Sequence, residues 1–197
     1  MKNKWCILLI IIISAITLCN SGCSKKEYTK EELYEDFQSQ ISKITSYTCT
    51  AKVEAISNKE HAVYIFKNTY KKPDYYKLEI QSPVNLKGKI IEYKDDKVIV
   101  YNPNNNDKVE LQNINNNSHY LFIGEFIKNY MKNESVSLEA TENELKIEVK
   151  IPGDNKYFNK QILYVNNKTK IPDKMEILDN EQKAIFIVTY ENFKYEK

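Results

Sequence analysis

Hydrophobic positions in this chain recur with two different periods, and the boundaries between them lay out its elements. Leu33, Phe37, Ile41 and Ile44 fall at helical spacing and form one apolar stripe. Thr29 and Glu32 stand three apart just before it, the pattern of a capping box. A helix over 29–44 is predicted. From Tyr47 the period drops to two. Segments 46–57, 61–71, 75–82, 89–94 and 97–102 are rich in Val, Ile, Tyr and Thr and end in turn-forming residues. Asp95-Asp96 predicts a tight turn, and the Asn-rich stretch after Pro103 predicts another, leading into Val109-Glu110-Leu111. The tract 113–117 reads as a polar loop. Helical spacing returns over 119–132, where Asn117 or Ser118 can cap and Tyr120, Leu121, Phe122, Phe126, Ile127, Tyr130 and Met131 give a broad apolar face. Strands resume at 136–140, 145–151, 160–165, 174–178 and 184–193.

One helix, a run of strands, a second helix and another run of strands, all joined by short turns, predict antiparallel meanders. The fold class is α+β: a curled antiparallel sheet, an open half-barrel of about 10–11 strands, with two helices on its concave side. Nothing marks a second domain, so 29–197 is read as a single unit. The exposed edges of such a meander also allow a homodimer, by pairing or exchange of strands between copies.

The N-terminus has a different character. Lys2 and Lys4 precede an apolar run from Trp5 to Leu18, followed by Asn20-Ser21-Gly22-Cys23. That run is shorter than the ~20 residues a membrane-spanning helix needs. A basic start, a short apolar segment and small residues before a cysteine describe a secretory signal of the bacterial lipoprotein kind. Residues 1–22 are then removed, Cys23 carries acyl chains, and 23–28 form a tether to the membrane. Such signals usually place an aliphatic residue three before the cysteine. Asn20 occupies that position here, which keeps an uncleaved N-terminal anchor helix as the alternative. Either arrangement puts the remainder outside the cytoplasm.

Charge narrows the choice of partners. The chain has 29 basic and 27 acidic residues, and losing Lys2 and Lys4 would leave 27 of each. A neutral surface argues against nucleic acid and against adsorption to anionic lipid, so attachment falls to the acyl chains. Every basic residue is lysine, which lacks the planar fork that grips phosphate or carboxylate in two places. Abundant Asn, Ile and Lys with only four Gly point to an AT-rich, Gram-positive source. Once Cys6 and Cys19 leave with the leader and Cys23 is acylated, Cys49 is alone, so no intrachain disulfide is expected. Cys49 lies in a strand, where a lone cysteine acts as a small packing residue.

Catalytic patterns are missing from the sequence. His61 and His119 sit in different elements, neither with a Cys or His at ligand spacing, and four scattered glycines build no phosphate loop. No metal, cofactor or enzymatic activity is expected. Tyrosine stands out instead. Tyr64, Phe66, Tyr76, Tyr93 and Tyr101 crowd the first group of strands, and Phe122, Phe126 and Tyr130 the second helix. These eight are the candidates for a concave cavity or a protein-binding patch, since aromatic rings are enriched at such surfaces. The alternative is that each ring belongs to the core.

Two stretches bring a family resemblance into view. Lys72-Pro73-Asp74-Tyr75-Tyr76-Lys77-Leu78 is followed by Ile91-Glu92-Tyr93-Lys94-Asp95-Asp96-Lys97-Val98-Ile99-Val100-Tyr101-Asn102-Pro103. Together they are similar to the strand signatures of the LolA/LolB-like lipoprotein carriers. Ile171-Pro172-Asp173-Lys174-Met175 and Tyr190-Glu191-Asn192-Phe193 resemble that family's last two strands. The carriers have an arginine beside the proline where this chain has Lys72, and they serve an outer membrane that a Gram-positive cell lacks. A lipid-anchored, arginine-free version resembles the clostridial germination lipoproteins of the GerS family. That resemblance implies a tethered protein of an endospore former, at the cell or forespore membrane. It would have no catalytic site and would bind and activate CwlD, the cortex N-acetylmuramoyl-L-alanine amidase needed for germination. The carrier resemblance implies the alternative function, binding a hydrophobic ligand such as a lipoprotein acyl chain.

Overall fold

A computed structural model of the chain describes residues 29–57, 60–94, 97–112, 120–133, 136–153 and 156–196. The leader, Cys23, Asp95-Asp96, the 113–117 tract, Ser118 and His119 lie outside the described residues. Helix α1 (Lys30–Lys43) opens on the expected capping box. The Glu32 amide donates to the Thr29 hydroxyl at 3.2 Å, and the Thr29 amide donates to the Glu32 carboxylate at 3.0 Å. Its stripe of Leu33, Phe37 and Ile41 is buried.

Six strands follow: β1 (Ser46–Ile56), β2 (His61–Lys71), β3 (Tyr75–Ser82), β4 (Ile90–Lys94), β5 (Lys97–Asn102) and β6 (Asp107–Gln112). After α2 (Ile123–Lys132) come β7 (Val136–Ala140), β8 (Glu144–Lys150), β9 (Lys160–Asn166), β10 (Pro172–Leu178) and β11 (Ala184–Glu196). They form one 11-stranded sheet in the order β6-β5-β4-β3-β2-β1-β11-β10-β9-β8-β7. Each neighbouring pair is antiparallel. The sheet is thus two meanders joined back to back where the first strand pairs with the last, and β6 and β7 are its edges.

Alternation along β1 sends Tyr47, Cys49, Ala51 and Val53 to the buried face. On β11 the same face takes Val188 and Tyr190, then Phe193 and Tyr195, an odd step that would break a regular pleat. A bulge opposite Thr48–Thr50, with Asn192 at φ 53°, absorbs that step and keeps all four side chains inward.

The curl follows from what α2 touches. Phe122 at its start packs on Tyr93 of β4, and Asn129 two turns later meets Gln161 of β9. Those strands are six apart in the sheet, ~29 Å if it were flat at ~4.8 Å per strand. The two helix residues are only ~10 Å apart at about 1.5 Å rise per residue. The sheet therefore bends around α2. Tyr34 and Phe37 of α1 pack on Tyr130 of α2, so both helices share the concave side. This is the α+β half-barrel that the sequence predicts.

One boundary differs from expectation. Phe122, not Asn117 or Ser118, is the N-cap residue of α2, and it makes no side-chain cap bond. Tyr120 and Leu121 form a 3-10 turn ahead of it. Their apolar spacing mimics helix, but Phe122 adopts an extended backbone, and its ring packs onto Tyr76 and Tyr93.

Candidate functional site

The concave face is organised around the seat of α2. Gly124 brings the helix backbone directly onto two rings. A methyl group there would come within 2.7 Å of Tyr70 Cε2 and 2.9 Å of the Tyr76 hydroxyl. Phe122 packs at 4.5 Å on Tyr76 and meets Tyr93 edge-on at 5.5 Å. Tyr70 in turn touches Tyr47, which stacks on Phe193 at 5.0 Å. An aromatic layer thus runs from β4 through the central seam to β11, with one face of α2 laid on it.

Polar contacts fix the helix at both margins. On the first meander, Lys128 pairs with Asp74 in the β2–β3 turn and lies 3.5 Å from Glu125. On the second, the buried Asn129 amide donates to Gln161 Oε1 at 2.8 Å, while Gln161 Nε2 donates to the Tyr120 carbonyl at 2.7 Å. Asn133 donates to the Lys150 carbonyl at 2.8 Å. Both polar side chains of the Asn129–Gln161 pair are buried, so losing either would strand the other without water.

Of the eight aromatic candidates, the structure brings Tyr76, Tyr93, Phe122, Phe126 and Tyr130 together in the buried core. Tyr64 and Phe66 of β2 are only half-buried, stacked 6.0 Å apart against the margin of that core. Tyr101 lies on the convex face. Its neighbour Val100 pairs with Ile91 and Val109 on the concave side, and the Tyr101 hydroxyl donates to Asn106 Oδ1 at 3.1 Å. Three rings outside those eight extend the open strip: Phe186 stacks on Phe158, which meets Tyr120. The helical spacing that includes Tyr120 does not place it on this strip, and Phe158 lies outside regular strands and helices. Gly124 does carry a signal, a lone glycine inside a helical pattern, which usually marks close packing. A separate cleft of about 390 Å³ opens between α1 and β7, lined by Lys30, Glu31, Tyr34, Glu35, Gln38 and Leu138.

Among the described residues no group of three or more His, Cys, Asp and Glu side chains gathers to hold a metal. His61 is exposed and pairs with Glu54 at 3.1 Å. Cys49 is buried, and burial pushes its thiol up to about 12 from an ordinary 9.0, so it is a poor nucleophile. Burial likewise pushes Tyr70 up to about 12 from 10.0, and holds Tyr47 and Tyr190 well above the usual phenol range. These shifts set an alkaline limit. Below the unfolded values both states keep the protons, and the burial carries no pH dependence. Above them the unfolded chain releases protons that the folded chain retains, so stability falls as pH rises. Urea midpoints are expected to stay constant from about pH 7 to 8.5 and to drop steadily from about pH 10 toward 12. A midpoint unmoved at about pH 11 would contradict the burial of these groups.

No curated protein matches the chain. Among solved structures it is similar to the GerS lipoprotein in the complex with the CwlD amidase from Clostridioides difficile, with 52% identity and a TM-score of 0.55. That match covers 88% of this chain and 99% of the other. An uncharacterized conserved protein from Thermus thermophilus matches at 15% identity and TM-score 0.51, over 85% of this chain and 87% of its own. A LolA superfamily protein from Nitrosomonas europaea matches at 14% identity and TM-score 0.46, over 87% and 95%. The resemblance to GerS expected from the sequence is therefore found. The family model for sporulation proteins like YdcC matches residues 2–197, and this chain belongs to that YdcC-like sporulation family.

Proposed function

We propose that this protein is a membrane-anchored, extracytoplasmic activator of a CwlD-type cortex amidase in a spore-forming bacterium, with no catalysis of its own. One observation carries the reading: a protein 52% identical over 88% of this chain is bound to that amidase. Activation needs no reactive group on the activator. Binding one conformation of the enzyme more tightly than another shifts its population. The anchor is acyl chains on Cys23, supported by the basic, apolar and small-residue segments that precede it. Tyr64 and Phe66 at the margin of the core and Tyr101 on the convex face, none of them fully buried, are the proposed contacts. The two sheet edges also suit a second copy of the chain.

A carrier reading is favoured by the half-buried rings of Tyr64, Phe66, Phe158 and Phe186, which would suit an acyl chain. Purification of the tagged chain from sporulating cells separates the two. The expected result is co-purification of a CwlD-type amidase in near-equal amount, identified by mass spectrometry, with no lipid beyond that on Cys23. Extractable lipid without the amidase would replace activator by carrier.

A further inference from the structure

Strand β2 turns Tyr64, Phe66, Asn68 and Tyr70 to the concave face, and Asn68 alone of the four is not aromatic. It stands directly opposite Cys49 of β1 and Leu78 of β3, and it is 1% exposed. Its Oδ1 accepts no hydrogen bond among the described residues. A buried amide oxygen left without a donor lowers the folding equilibrium roughly ten- to a hundredfold. Buried polar groups therefore have partners, and this one needs a partner from outside the chain.

Two groups with the opposite need lie beside it. The hydroxyls of Tyr47 and Tyr190 are buried and donate to nothing among the described residues. Tyr47 precedes Cys49 on the same face of β1, and Tyr190 faces Ala51 from β11. The Cys49 sulfur is close enough to both phenols to act on them electrostatically, and Asn68 is its partner across the strands. The Gly124 amide already favours the Tyr47 oxygen, so that hydroxyl lacks only an acceptor for its own proton. One acceptor without a donor and two donors without an acceptor thus share a region, and no direct bond joins them. What links them must both accept and donate. Size and access narrow it further. Cys49 and Ala51 are small side chains set among Tyr47, Tyr190 and Phe66, which provides the room a small molecule needs. Asn68, Tyr47, Tyr190, Cys49 and Ala51 are all no more than 6% exposed, so an organic ligand has no way in. Water meets every condition, since buried waters take about three hydrogen bonds from polar groups that the protein leaves over.

We propose that water is bound beneath α2 at the β1–β11 seam, accepting from the Tyr47 and Tyr190 hydroxyls and donating to Asn68 Oδ1. The site lies where the two meanders join, so hydration is part of how the sheet closes. It is independent of the amidase and carrier readings.

A high-resolution crystal structure of the full chain and the stability of two variants test it. Electron density for water is expected about 2.7–3.2 Å from Asn68 Oδ1 and within the same reach of a Tyr47 or Tyr190 hydroxyl. Asn68→Leu keeps the branched shape of the side chain and removes the acceptor. It strands the water and the phenols, and should lower the folding equilibrium about tenfold in urea denaturation. Tyr190→Phe should do the same. The double variant should lose less than the product of the two, because both act through one shared water. Asn68→Leu that folds more stably than the wild type overturns the proposal, since relief of that kind marks an orphan in a dry core. Losses that simply multiply overturn the shared water. Wild-type density without water at Asn68 Oδ1 overturns the site outright, and it decides the matter even if a variant fails to fold.

Discussion

Replacing Phe122 by alanine is expected to cost about 3–5 kcal/mol of folding stability, read as the shift in urea denaturation. The ring is 1% exposed and lies between Tyr76 and Tyr93 at the point where α2 leaves the preceding turn. Nothing nearby can collapse into the space. Tyr76 is held by Tyr70 on one side, and the helix backbone at Gly124 sits against both. A domain of this size has ~5–15 kcal/mol in total, so the variant should be partly unfolded at about 37 °C. Phe122→Leu keeps most of the volume and should lose less than half as much. A loss below about 1 kcal/mol for alanine would show that the aromatic layer does not hold the helix.

Gly124→Val should be comparably damaging for the opposite reason. Alanine gains up to ~1 kcal/mol over glycine inside a helix, and less in the first turn, where Gly124 sits. Here its Cβ would sit 2.7 Å from Tyr70 and 2.9 Å from Tyr76, neither of which can swing away. Overpacking of ~1–3 kcal/mol cancels or exceeds the gain, so Gly124→Ala should be neutral to mildly destabilising. Valine adds two methyl groups to the same clash and should cost about 3 kcal/mol. Thermal melting of the pair distinguishes seating from propensity. Stabilisation by both would mean that the helix stands off the rings.

Much of this architecture can be read in the residues themselves. Thr29 with Glu32 set the start of α1, and strict alternation from Tyr47 sets the strands and their faces. The step from Tyr190 to Phe193 is visible as a break in period, and the bulge is its structural answer. The start of α2 is not legible, because Tyr120, Leu121 and Phe122 have helical spacing but the Phe122 backbone is drawn out by the rings below it. The convex position of Tyr101 follows from parity alone once Val98 is known to be buried. Which aromatics are sealed and which stay open depends on where α2 crosses the sheet. That crossing is set by Gly124, Lys128 and Gln161, contacts between residues far apart in sequence.

The pairing of β1 with β11 also has a bearing on how the molecule comes into being. Val53 meets Val188 and Tyr47 meets Tyr195, so the middle of the sheet is the last part that synthesis completes. Until the final strand emerges, the early strands have an open flank, and the two meanders remain separate hairpin stacks. Nascent chains halted short of β11 would therefore lack a finished core, however much of the sequence they contain.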